Sequence, residues 1–175
     1  MTNDGESQSS GISRRTVTKA MAWAVPAIAI AAPVPAFAAS GGKPTVVVGS
    51  ACKAPGASVC GDQFKFGYAV PVTITNDSGM DVWITGITIT SQTPTSPTFS
   101  ADTSIPLPVL IPGDGTPVVL YFIARSTNSA EIKNGSITFD AAWGHAEDGS
   151  DTEHAGDPIV VETTWASTPP GCACF

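Results

Sequence analysis

Both histidines and five carboxylates fall within one short stretch, His145-Ala-Glu-Asp-Gly-Ser-Asp-Thr-Glu-His-Ala-Gly-Asp157. Carboxylates at that density suit a hard cation such as Ca²⁺, whereas the imidazoles of His145 and His154 suit a transition metal such as Zn²⁺. Asp148, Asp151 and Glu153 are the first carboxylate candidates. The spacing does not follow an EF-hand loop, and there is no His-Glu-x-x-His arrangement. The plain alternative is a solvated hairpin loop, where charges and glycines are expected whatever they bind. Loops of this composition are common, and that alternative is favoured.

Catalytic patterns are otherwise scarce. Gly-x-Ser-x-Gly is missing, and the many Ser and Thr residues alternate outward on extended segments as β-formers. A serine could pair with either histidine, but nothing in the sequence places one there. Cys172 and Cys174 have no His or Met beside them, as a copper ligand set would require. No catalytic residue and no resident cofactor is therefore assigned, with Ca or Zn at the acidic loop as the only cation candidates.

The four cysteines form two clusters, Cys52 with Cys60 and Cys172 with Cys174. An even number in an exported chain favours disulfides. Bridging Cys172 to Cys174 would span a single residue in strained geometry. Long-range pairing between the clusters is favoured instead, at about 4 kcal/mol in the chain-entropy model. The two cross-pairings are not separable on the residues alone. A Cys-x-Cys metal or redox pair is the sharper alternative, but it lacks ligands nearby.

The export assignment rests on the first residues. Ser13-Arg-Arg-Thr-Val-Thr-Lys19 precedes an uncharged Ala-rich run that ends in Ala36-Phe37-Ala38. A basic segment, an apolar segment and a small-x-small site make an export signal. It resembles a twin-arginine signal peptide, with Arg14 and Arg15 as the paired arginines, although Val17 and Thr18 stand where Phe and Leu are usual. Pro26, Pro33 and Pro35 interrupt the run, which argues against a permanent anchor. Cleavage is expected between Ala38 and Ala39. The resemblance implies a twin-arginine translocase as partner during export.

The whole chain of 175 residues carries a net charge of −7. The exported part is more acidic still, because the signal holds Asp4 and Glu6 against Arg14, Arg15 and Lys19. Its cations are Lys43, Lys53, Lys65, Arg125 and Lys133, too few and too scattered for nucleic-acid or anionic-membrane binding.

Whatever the loops do, strands must hold them. Phe64, Phe66, Tyr68, Val70, Val72 and Ile74 alternate with Lys65, Gly67, Ala69, Pro71, Thr73 and Thr75, the period-two signature of a half-buried strand. Pro71 cannot donate to a ladder, so an edge position or a bulge is expected there. Thr45-Val-Val-Val48 is a short strand. Val82 and Ile84 give way to Ile87 and Ile89 after Gly86, as a β-bulge would produce. Ser91 to Pro97 reads as a loop or irregular edge, and Ile105 to Ile111 as a short edge segment. Val118 to Ala124 is apolar on both faces and reads as central. Ile137, Phe139, Ala141 and Trp143 alternate in the next strand, and Ile159, Val161, Thr163 and Trp165 in the last. Asn76-Asp-Ser-Gly79 and Asn134-Gly135 are turns. Seven or eight short strands without a helical period predict an all-β antiparallel sandwich.

The order of these motifs resembles bacterial immunoglobulin-like domains of the cell-adhesion-related kind, over about residues 44–166. Residues 1–38 are then signal, 39–43 linker and 167–175 a Cys-containing tail. The resemblance implies first and last strands running parallel at one edge, which would bring Cys52 and Cys172 together with little backbone movement. It also implies a secreted or cell-surface, non-enzymatic protein with a structural, adhesive or binding role, meeting a surface protein or carbohydrate and not embedded in the membrane. A cation-dependent binding module that uses the loop 145–157 is the second expectation, and a small exported hydrolase or redox protein the third.

Overall fold

Alternating side chains resolve into nine strands in the computed structural model, which describes residues 42–54, 66–127 and 131–173. Residues 1–38, read from the sequence as an export signal, lie outside the described residues, as do Cys60, Phe64, Lys65 and Cys174. The strands are β1 (Thr45–Val48), β2 (Cys52–Lys53), β3 (Gly67–Thr75), β4 (Val82–Thr93), β5 (Ser100–Thr103), β6 (Val109–Ile111), β7 (Val118–Arg125), β8 (Gly135–Gly144) and β9 (Ile159–Trp165). One sheet runs β1-β3-β7-β5, with β2 also on β3, and the other runs β6-β4-β8-β9. All strand pairs are antiparallel. The chain is thus an all-β two-sheet sandwich.

The alternation sets the core. Tyr68, Val70, Val72 and Ile74 of β3 are buried on the inner face, as are Ile137, Phe139, Ala141 and Trp143 of β8 and Ile159 and Val161 of β9. Phe122 of β7 meets Phe139 of β8 edge-to-face, with centroids 5.6 Å apart, so one aromatic pair joins the two sheets at the centre. Trp83 points outward from β4 and is half-buried.

Two sequence expectations need correction, each in one of its two alternatives. Pro71 does not sit on an edge strand, since β3 lies between β1/β2 and β7, where Pro71 is opposite Tyr121. Its carbonyl accepts from Gly49 N–H at 2.8 Å, so its missing donor faces the gap between β1 and β2. The neighbour yields there, and the ladder loses little. Ser91 to Thr93 are not loop but the end of β4, paired with β8 after a second register shift between Ile89 and Ser91. The expected bulge between Ile84 and Gly86 is present. Ser-Ala-Asp-Thr, β5, carries no apolar run to mark it, yet it pairs with β7 and Asp102 bonds Arg125 at 2.9 Å.

Two turns meet at one end of the sandwich. Asn76 is 1% exposed, donates to the carbonyls of Met80 at 2.7 Å and Ile111 at 3.3 Å, and accepts from Ser78 N–H. Its own carbonyl accepts from Gly115 N–H, while Asp81 accepts from Gly113 N–H. A Cβ on Gly113 would collide with the Met80 backbone, so only glycine allows the two turns to meet. The Asn76→Ala variant is expected to lose about 1–3 kcal/mol, because it strips buried carbonyls of a donor. Urea unfolding curves check this through a lower midpoint at unchanged slope.

At the other end Cys52 is bonded to Cys172, a long-range bridge with Cα atoms 4.9 Å apart. Lys53 N–H donates to Pro170 O and Cys172 N–H to Lys53 O, both at 2.8 Å, in a parallel bridge between Lys53 and Gly171. The parallel approach of first and last segments is thus local, made by β2 and the tail after β9.

Candidate metal centre

The acidic segment is the connection from β8 to β9, so β-pairing sets both ends of it: Ala141 is opposite Ile159, and Trp143 Nε1–H donates to Asp157 O at 2.8 Å. Lys43 reaches across to Asp157 Oδ1 at 2.7 Å and to Pro158 O, fastening the end of the loop to the chain ahead of β1. Within the loop, Asp151 folds back. Its Oδ2 accepts from His145 N–H at 2.8 Å and its Oδ1 from Glu153 N–H at 2.9 Å. Gly144 leaves room for this, since a Cβ there would press on the Asp151 carboxylate at 3.0 Å.

That fold brings three of the candidate ligands together. One nitrogen each from His145 and His154 and one oxygen from Asp151 lie within 4.8 Å of one another. Asp148 and Glu153 are not in the cluster; the Asp148 carboxylate accepts from Ser150 N–H in its own turn. His154 stacks on Trp143, with centroids 3.9 Å apart and planes at 18°. His145 Nδ1 lies 3.0 Å from Asp81 O. A carbonyl only accepts, so Nδ1 carries the hydrogen and the Nε2 of the neutral ring is left with its lone pair. Among the described residues, neither His145 Nε2 nor His154 Nε2, both buried atoms, has a hydrogen-bond partner.

The Asp151 carboxyl is held below its ordinary value of 3.8, first by His145 N–H, then by Glu153 N–H, with lesser help from charge on His154 and His145. Asp148 is lowered by Ser150. A folded value below the unfolded one contributes stability that is fully present above the unfolded value and is lost as pH falls through the folded one. The amide signals of His145 and Glu153 are therefore expected to share one acid transition, as the Asp151 carboxyl is protonated below the ordinary aspartate range. An NMR titration of those two amides checks this.

The sequence singled out all three cluster members but not their supports. Trp143 reads from its alternation as a core residue, and it is buried, yet its ring also orients His154. The Asp81 carbonyl comes from the turn between β3 and β4, remote in sequence, and backbone acceptors leave no signature in side-chain types. Elsewhere a cleft of about 450 Å³ opens between Val48–Ala51 and Glu162–Pro170, with Glu162 its one carboxylate and no histidine in its lining. Against models of known protein families the chain has no match, and no curated protein matches it.

Proposed function

We propose that the protein is an exported, non-enzymatic immunoglobulin-like β-sandwich with a structural, adhesive or binding role at the cell surface or outside the cell. The observation that carries this is the bond between Cys52 and Cys172, which ties the first strands to the tail beyond the last. Such bridges persist in oxidising compartments, which agrees with the paired Arg14 and Arg15 ahead of an Ala-rich run. Strand order supports the immunoglobulin-like half of the reading. β1, β3, β7 and β5 occupy the order of one sheet of such domains, and β4, β8 and β9 that of the other. One departure is that the strand beside β4, which is β6, follows β5 in the chain rather than preceding it.

Expression of the full chain in a bacterium with a twin-arginine system tests the proposal. The expected product is outside the cytoplasm, begins at Ala39 and contains the oxidised Cys52–Cys172 pair. Arg14→Lys with Arg15→Lys should hold it inside. A chain that stays in the cytoplasm with Met1 in place overturns the export reading.

A further inference from the structure

We propose that His145, Asp151 and His154 bind one divalent transition-metal ion of the zinc class, through the two Nε2 atoms and one Asp151 oxygen. One ring nitrogen of each histidine and one Asp151 oxygen already lie within 4.8 Å of one another. A zinc ion about 2.0–2.2 Å from each would hold them roughly 3.5 Å apart, a closure that side-chain rotation can supply.

Four features set this cluster apart from a solvated acidic loop. Buried polar atoms almost always find a partner, yet the Nε2 atoms of two histidines whose rings lie 5.4 Å apart have none among the described residues. His145 Nε2 presents a lone pair, since its hydrogen is on Nδ1, and a cation bound there and at His154 Nε2 would give both atoms a partner. The Asp81 carbonyl holds His145 Nδ1–H, which is how metal-bound histidines are usually oriented. The Trp143 ring fixes the plane of His154. Both Asp151 oxygens are positioned by backbone N–H groups, and each keeps a further lone pair for a metal.

The donor set also selects the ion. Two imidazoles and one carboxylate suit zinc or copper, whereas calcium takes six to eight oxygens. The other loop carboxylates do not supply those oxygens, because Asp148 and Glu153 lie outside the cluster. Three protein ligands leave a tetrahedral ion one position for water or a donor from outside the chain.

Calorimetry on the purified full chain with Zn²⁺ as probe tests the site, together with ¹H–¹⁵N spectra of the histidine side chains. One equivalent of Zn²⁺ should bind, and both Nε2 signals should move on titration. Cu²⁺ should quench the Trp143 part of the fluorescence, a loss absent from Trp143→Phe. His145→Ala and His154→Ala should each abolish uptake, while Asp148→Asn combined with Glu153→Gln should leave it intact. Should the histidine variants fail to fold, the imidazole spectra of the unaltered chain decide by themselves. The proposal is overturned by absence of zinc uptake, by uptake that leaves both imidazole signals unmoved (as binding elsewhere on the chain would), or by loss in the Asp148/Glu153 variant alone.

Discussion

The double variant Cys52→Ser, Cys172→Ser is expected to unfold with about 4–5 kcal/mol less free energy than the oxidised chain. The two cysteines are 120 residues apart, and closing a loop of that length removes entropy from the unfolded chain worth about 5 kcal/mol in the chain-entropy model. Little of the loss comes from the folded side, because the Lys53–Pro170 and Cys172–Lys53 backbone bonds keep the tail beside β2 without the sulfur bridge. Domains of this size have roughly 5–15 kcal/mol in total, so the variant should be close to half unfolded under mild denaturation. Urea unfolding of both forms measures the difference. The slope should also rise, since an untied chain exposes more surface. A change below about 1 kcal/mol would mean that the unfolded ensemble is already compact at these two points.

Phe139→Ala is expected to cost about 3–5 kcal/mol. Phe139 and Phe122 are both fully buried and belong to different sheets, so truncation opens a void where an aromatic pair bridges the layers. The surrounding Ile and Val side chains are held by ladder positions on both sides, which limits collapse into the space. Phe122→Ala should cost a similar amount, and the double variant should cost less than the two together. Their coupling, about 0.5–1.5 kcal/mol for an aromatic pair, comes from a double-mutant cycle of urea midpoints. Strictly additive losses would show that the two rings do not act as a pair.

How much of this could be foreseen varied with the kind of cue. Strands with alternation on one face, such as 68–74, 137–143 and 159–165, are legible because burial on one side of a pleat demands apolar residues at every second position. β5 is not legible, because Ser-Ala-Asp-Thr sits on an edge and its partner β7 supplies the apolar contact. Pro71 misleads for a related reason. Proline excludes a donor at one backbone position, which an edge strand satisfies, but so does a break in the neighbouring strand. The end of β4 is hidden by the prolines at 94 and 97, which mark where the strand must stop but not how far before them it still pairs.

The candidate centre divides in the same way. His145, Asp151 and His154 stand out by residue type, as do Asp148 and Glu153, and sequence ranks none of the five above the others. Selection among them depends on which side chains the β8–β9 connection turns inward. That is decided by Asp151 capping His145 and Glu153 N–H, by the space left at Gly144, and by the Trp143 ring.

Residue order alone therefore determines that the chain forms sheets, which side chains fill the space between them, and that two distant cysteine clusters are available to close it. Those are matters of local periodicity and of chemistry carried by single residues. Which cysteines meet, which strand lies beside Pro71 and which three donors converge near the Asp81 carbonyl are decided only when the strands pair. Each depends on backbone groups contributed by segments far apart in the chain, and the amide group is the same in every residue except proline.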